Sequence, residues 1–470
     1  MKEKKIFLLA GLGYGDEGKG TITDYLSSCY PVKTVCRYNG GAQAAHHVVS
    51  DKGAVHCFSQ FGSGLLSAGI KTYLSKFMLV NPINLFNEYN VLESKLKFKI
   101  PKTYIDTKAL IITPYHVLIN QMREISRGSK RYGSCGKGVG ETISDAKKYG
   151  AEVLRAKDLG DSLSLKHKLR FLQALKIDAG EQLLDSDPTN SELLSLLEKM
   201  RSEAEFQNLL DFYFDFSEWS RVKIVKSSKV IYDSDIIFEG AQGSLLHRDY
   251  GFYPHITQSD TSFANAEKII RKQNLSGDIF KIGVLRAYAT RHGAGPFVTY
   301  DSKLSDLIPD EHNLTNQWQG NLNVGWLDLV ATKYALKIVG ELDGLALTNL
   351  DRLQDLAEVK VCTSYQYLGA TEQKTLEQFF ECERDGLNSQ LLIKEIKLTS
   401  ADKFSDYNYR QQITDILNDC QPIYETLKVR HADFVSDYVQ YLEAALKTKV
   451  LLISTGPRTS DKKMLRPLAK

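Results

Sequence analysis

The sequence predicts an α/β protein built on a single large, mostly parallel sheet flanked by helices. Three observations lead there. Short apolar runs recur along the whole chain, and many of them close in a glycine-rich turn. Helical patterns separate many of these runs, which is the connection that parallel strands need. No low-complexity linker and no internal repeat divides the 470 residues, so the turns at the strand ends are expected to converge on one site. One domain over 1–470 is therefore expected. It carries a helical insertion at about 151–222 and a smaller subdomain at about 352–430.

Composition narrows the function classes. The hydrophobic fraction of 43% is that of an ordinary globular protein, and a net charge of +3 gives no case for binding nucleic acid or a membrane surface by bulk charge. No apolar run approaches the roughly 20 residues of a membrane span. The seven cysteines are odd in number and none form a CxxC pair, so neither a disulfide framework nor a zinc site is indicated. A reducing cytosol fits that usage.

The first element is the apolar run Ile6–Ala10, read as a buried strand. It leads into a loop in which Gly13, Gly18 and Lys19 have the spacing of a phosphate-binding loop. Glycines let backbone N–H groups turn toward a polyphosphate, the following helix N-terminus favours its charge, and the lysine neutralises more of it. Gly20 stands where a Ser or Thr usually holds magnesium, and Asp16 lies inside the loop. A carboxylate among phosphates is repulsive unless a metal intervenes or it takes a proton. Asp16 is thus a magnesium ligand, a general base, or both.

Thr21–Ser28 reads as a helix and Val32–Tyr38 as a strand. The strand enters NGGAQAAHHVV (39–49), where small residues and two histidines mark a site loop. His46 and His47 face opposite ways in extended backbone, so only one of them can aim at a given ligand. Residues 83–99 look helical, Ala109–Ile112 is a strand, and His116–Ile125 is amphipathic. RGSKRYGSCGKGVGE (127–141) has five glycines with Arg127, Lys130, Arg131 and Lys137, and is either an anion-binding loop or a flexible surface loop.

Residues 151–222 are helical, poor in glycine, and expected to cover the sheet. Val230–Glu239 returns to strand and ends in GAQG, placing Gln242 at a strand's C-terminal edge. Its amide can donate and accept, which suits a purine 6-oxo/N1–H edge or a phosphate. Phe280–Ala287 is a strand that leads to TRHGAGPF (290–297). Residues 301–324 form a polar loop, Asp328–Val339 a helix, and Leu345–Leu347 a strand ending in TNLD (348–351). Asp351 sits as a guanine reader would, accepting from N1–H and the 2-amino group; TNLD is equally the sequence of a helix N-cap. Val450–Ile453 ends in STGPR (454–458), another glycine turn.

GDEGKG (15–20), RYNGGAQAAHHVV (37–49), FEGAQGSLL (238–246), YPxxT (253–257), TRHGAGPF (290–297), GWLD (325–328), LTNLD (347–351), PIYET (422–426) and STGP (454–457) together resemble the adenylosuccinate synthetase family, in its order and over nearly the full length. The resemblance implies a GTP-dependent ligase that phosphorylates the 6-oxo group of IMP and displaces phosphate with aspartate, using Mg2+. It implies Asp16 as base and metal ligand, His46 as catalytic histidine, and Lys19 with Gly15, Glu17, Gly18 and Gly20 at the GTP phosphates. Asp351, Ser454 and Gly456 would meet guanine, and Gln43, Cys135, Gln242 and Thr257 would meet IMP. The Ala45 carbonyl would serve the metal. A homodimer is implied, with Lys147 or Lys148 reaching the neighbouring nucleotide.

Departures from the family pattern centre on the amine. No arginine lies between Asp301 and Asp328, where the family carries several to clamp aspartate. Arg291, His292, Asn321 and Asn323 are the candidates left for that pocket. Asn349 replaces a lysine beside the guanine reader. Gln43 and Ala45 replace Asn and Gly, and Cys135 replaces a Thr at the IMP phosphate. The alternatives implied are a same-fold paralogue using another amine or 6-oxopurine nucleotide, and a non-catalytic GTP or IMP sensor.

Overall fold

The computed structural model describes residues 4–66, 70–128, 131–226, 234–310, 318–384, 390–398, 406–429 and 433–469. Ten strands form the main sheet: β1 (Lys5–Gly11), β2 (Val32–Arg37), β3 (Lys71–Leu74), β4 (Thr103–Asp106), β5 (Val222–Val225), β6 (Asp235–Gly243), β7 (Asp278–Arg286), β8 (Gly344–Thr348), β9 (Val450–Ser454) and β10 (Lys462–Met464). Their order across the sheet is β10-β9-β8-β7-β1-β6-β2-β3-β4-β5. The pairs β6/β2, β2/β3, β3/β4, β4/β5, β7/β8 and β8/β9 are parallel, and β9/β10 is antiparallel. The expected α/β class with a large, mostly parallel sheet is what the chain forms. Strands such as β1 and β8 read as unbroken apolar runs because both faces of a parallel sheet are covered.

The chain divides into two compact units, residues 1–6, 23–241 and 265–277 in the first and 7–22, 242–264 and 278–470 in the second. In the first, helices Ser162–Asp185, Ser191–Arg201 and Glu203–Glu218 occupy most of the stretch read as a helical insertion. Leu165, Leu169 and Leu172 recur at helical spacing and are fully buried, together with Phe206 and Tyr213. The stretch ends in β5, an edge strand of the main sheet. Its four residues are too short for a period to separate strand from helix end.

In the second unit, Glu358–Tyr367 pairs antiparallel with Cys420–Lys428 and Leu391–Ile396, and the latter with Phe380–Arg384. The polar loop read over 301–324 contains two elements. Asp301 caps helix Ser302–Leu307 by accepting from the Lys303 and Leu304 amides, and Leu322–Gly325 pairs with Ala289–His292. Residues 311–317, and Lys130 and Val230 of the readings above, lie outside the described residues.

Asp328 starts the helix Leu329–Val339, accepting from the Ala331 amide at 3.0 Å and from the Tyr365 hydroxyl at 2.6 Å. Burial pushes its pKa up to about 6, against the pull of those donors. A carboxyl raised in the fold stabilises it fully below the unfolded pKa and loses that contribution as pH rises through about 6. Asn caps as well as Asp and carries no charge. Asp328→Asn is therefore expected to unfold at higher denaturant than the parent at pH 8, by up to about 3 kcal/mol, and to show no gain at pH 4. Equal curves at both pH values would remove the buried charge from the account.

Candidate active site

The loop read as phosphate-binding follows β1 and opens helix Lys19–Cys29. Two close approaches explain its glycines. A Cβ on Gly11 would lie 2.2 Å from the Glu17 carboxylate, and one on Gly243 2.0 Å from the Gly13 carbonyl. Lys19 is 1% exposed; its Nζ meets Glu17 Oε2 at 2.6 Å and the Gly15 carbonyl at 2.9 Å. Glu17 Oε1 accepts from the Gly15 amide at 2.7 Å. The Glu17 carbonyl accepts from Thr348 Oγ1 at 2.7 Å, tying the loop to the end of β8. The lysine is thus held inside its own loop by a neighbouring carboxylate, poised for exchange with a stronger anion.

Asp16 keeps 20% of its side chain open. Crowding by protein raises its pKa, while His292, Arg286 and Lys19 pull it down and Glu17 adds to the rise; the net direction is up. His292 Nε2 stands 3.6 Å from Asp16 Oδ2. Arg286 donates from Nη1 to the Asp16 carbonyl at 3.2 Å and from Nη2 to Asp310 at 3.2 Å. His292, read from sequence as an amine contact, is placed beside Asp16. Arg286 was not singled out by the sequence reading. The one signal for it is a cation that closes strand β7 directly after the apolar residues Val284 and Leu285.

Gln242 adopts a left-handed backbone, φ 65°, rare outside glycine. The turn aims its amide at Thr257, Nε2 donating to Oγ1 at 2.7 Å, and leaves Oε1 buried without a partner. Such an acceptor marks a place for a ligand donor. Arg291 is 1% exposed, and its Nη groups donate to the Pro296 carbonyl at 2.7 Å and the Ala294 carbonyl at 2.8 Å. Its guanidinium lies over the Tyr14 ring, 4.3 Å from the centroid. These bonds hold the GAGP turn and take one donor from each Nη group of Arg291. Asn323 pairs with Arg291 across the two-stranded ribbon, so both side chains share one face.

The two segments read from the sequence as guanine contacts follow adjacent strand ends. β8 and β9 run parallel with Leu347 opposite Ile453, so TNLD and STGP leave the sheet side by side. Asn349 is left-handed, φ 59°, a conformation that asparagine adopts more readily than most residues with a side chain. Burial raises the pKa of Asp351, and Arg352, Arg286 and Lys462 oppose the rise.

In the first unit, His46 Nδ1 is 2.7 Å from Glu239 Oε1. Ser63 adds its hydroxyl to Oε1 and its amide to Oε2, the latter at 3.1 Å. Burial would raise the Glu239 pKa, but the His46 and Arg37 charges and these hydrogen bonds bring it below its ordinary value. An ionised Glu239 accepts from Nδ1–H of His46. Glu239 is another residue the sequence reading passed over. Gln43 has both amide atoms buried and unpartnered. Cys135 is partly buried, and burial raises its thiol pKa. Ala45, Lys147 and Lys148 are exposed.

Comparison with known proteins matches residues 8–463 to the family model described as adenylosuccinate synthetase. The chain belongs to the adenylosuccinate synthetase family. Adenylosuccinate synthetase of Chlorobium limicola is 30% identical over 466 residues, covering 96% of this chain and 95% of that one. Among solved structures, fully ligated adenylosuccinate synthetase from Plasmodium falciparum matches with a TM-score of 0.71 at 22% identity, covering 98% of this chain and 99% of that one. A cyanophage S-2L succinoaminodeoxyadenylate synthetase bound to dGMP and dATP matches with a TM-score of 0.55 at 13% identity, covering 98% and 96%. Gly13, Gly18 and Lys19 of the loop, Asp16, His46 and Asp351 are present in this adenylosuccinate synthetase-like chain, and its segment between Asp301 and Asp328 is without arginine.

Proposed function

We propose that this chain is a GTP-dependent carbon–nitrogen ligase that joins IMP and aspartate into adenylosuccinate, releasing GDP and phosphate. The observation that carries it is Asp16: a carboxylate on a phosphate-binding loop, raised in pKa by crowding and flanked by His292 and Arg286. A carboxylate raised in this way is a better base than a free one. Asp16 takes the N1 proton of the hypoxanthine ring, so that O6 attacks the γ-phosphorus and GDP leaves. The amine nitrogen then bonds to C6, the C6–O6 bond breaks, and phosphate departs with O6. His46, held through Nδ1 by Glu239, offers Nε2 as the donor near the transferring group. Lys19 exchanges Glu17 for the nucleotide phosphates. Gln242, with its buried Oε1, and Thr257 contact IMP, as do Gln43 and Cys135.

Mg2+ fits this site. It takes one or two carboxylates with phosphate oxygens and waters, and Asp16, on the loop with Lys19 and with 20% of its side chain open, is such a carboxylate. Asp16 would hold it, and the ion would neutralise charge on the transferring phosphoryl group. A homodimer in the cytosol is the setting proposed, with Lys147 or Lys148, exposed at one helix end, as the cation lent to the neighbour.

Aspartate carboxylates would be met by Asn321 and Asn323 in place of arginines. Replacing a charge-assisted bond by a neutral one loses about 1 kcal/mol, or roughly fivefold in affinity for each. Purified protein with IMP, GTP and Mg2+ is expected to form adenylosuccinate, with a Michaelis constant for aspartate elevated by about one to two orders of magnitude over an arginine-clamped site. Preferential use of another amino acid from a panel, or GTP hydrolysis without product, would overturn the assignment of aspartate.

A further inference from the structure

Lys462 lies on β10, opposite Ser454 of β9, and is 5% exposed. Its Nζ donates to the carbonyls of Gly456 at 3.0 Å, Pro457 at 2.9 Å and Arg458. Ser454 Oγ donates to the Gly456 carbonyl at 3.1 Å. The rest of the turn is equally determined. Asp461 accepts from the Arg458 amide at 2.6 Å, its carbonyl accepts from the Thr455 amide at 3.0 Å, and a Cβ on Gly456 would lie 2.5 Å from its carboxylate. An ammonium has three donors, and three consecutive carbonyls of the guanine-side turn take them.

We propose that Lys462 is a specificity-determining positioning residue, which sets GTP over ATP by drawing the STGP turn's carbonyls away from the base. This rests on the reading of Asp351 as the guanine contact. The chemistry separates the two purines at their 6-position. Adenine presents an amino donor there and guanine a 6-oxo acceptor. A turn with unbound carbonyls toward the base would welcome the amino group. A turn whose carbonyls are bound inward by a cation offers it no acceptor, and the buried positive charge favours the 6-oxo group. Asp351 acts at the other edge, on N1–H and the 2-amino group. The two devices are additive in direction and distinct in the atoms they sense. They also compensate for Asn349, which carries no charge.

The test is nucleotide competition with purified full-length protein, using GTP, ATP and the triphosphate of 2,6-diaminopurine riboside, which keeps the 2-amino group but has an amino group at position 6. Lys462→Met is expected to lower the GTP-over-ATP ratio of kcat/KM by roughly tenfold and to improve the diaminopurine nucleotide relative to GTP, through KM with kcat little changed. Lys462→Arg, which keeps charge and donors, should retain most of the preference. Asp351→Asn should erode GTP preference without improving the diaminopurine nucleotide. If Lys462→Met folds with the parent ratio for all three nucleotides, or Lys462→Arg loses preference as far as Lys462→Met does, the assignment of Lys462 is overturned. If Asp351→Asn leaves the ratio unchanged while Lys462→Met lowers it, the reading of Asp351 fails and that of Lys462 stands. Should Lys462→Met not fold, Lys462→Arg and Lys462→Gln decide the matter by the same ratios.

Discussion

Asp16→Asn is expected to abolish turnover while leaving the fold more stable at neutral pH. Both halves follow from the same carboxyl. Loss of a general base alone lowers a rate by about 10²–10⁴-fold, and loss of a metal ligand adds to it. The stability half follows from linkage. Crowding raises the pKa of Asp16 above its ordinary value, more than His292, Arg286 and Lys19 lower it. Its contribution to stability is complete below the unfolded pKa and declines as pH rises through the folded one. An asparagine has nearly the same shape and never ionises, so it escapes that decline. The checks are kcat for adenylosuccinate formation and thermal unfolding at pH 7 for parent and variant. Activity within tenfold of the parent would remove Asp16 from the base's role. Unfolding at a lower temperature than the parent would show that its cationic neighbours outweigh its desolvation. Active sites that hold a group in an unfavourable charge state show this opposition of stability and rate.

The parts legible in the sequence are those whose logic is local. β1 with its glycine loop, the helix Leu329–Val339 after GWLD, and the strand before STGP each declare themselves within a dozen residues. The parts that were not legible are pairings across long separations. His46 and Glu239 are 193 residues apart, and Arg286 and the Asp16 carbonyl 270. Neither Glu239 nor Arg286 differs in type from a charge that ends a strand in solvent, and only the sheet order shows what each faces. β5 escaped for another reason: four residues with a mixed burial pattern carry no period. Asn349 illustrates the converse. The sequence showed only a missing lysine, whereas the left-handed backbone shows why an asparagine suits the position. His292 was read as an amine contact because it adds a donor where the family has an apolar residue. Alternation along the ribbon Ala289–His292 separates the two, Arg291 toward its own turn and His292 toward Asp16.

Glu239→Gln is expected to lower kcat by about 10²–10⁴-fold through His46, with a smaller change in nucleotide KM. The carboxylate is 0% exposed and accepts from Nδ1–H of His46, and its charge favours the imidazolium, in which Nε2 also carries a proton. An amide in its place carries no charge to favour the imidazolium, and a neutral ring donates from only one of its two nitrogens. Stability also falls, because Arg37 loses its buried counter-charge at 3.9 Å. Removing one partner of a buried pair costs about 3–5 kcal/mol. The pH dependence separates this from a shift in the base. The Glu239 pKa is held below its ordinary value, so its contribution is present above the unfolded pKa and is lost as pH falls through the folded one. The parent's stability margin over Glu239→Gln should therefore be full at pH 7 and shrink in acid. A purely structural residue would also show that margin, so the deciding measurement is a double-mutant cycle with His46→Asn. If Glu239 acts through His46, adding Glu239→Gln to His46→Asn lowers kcat little further, because the group it orients is already gone. Fully multiplicative losses would mean that Glu239 reaches the reaction by another route, and the orientation of His46 would then need a different cause.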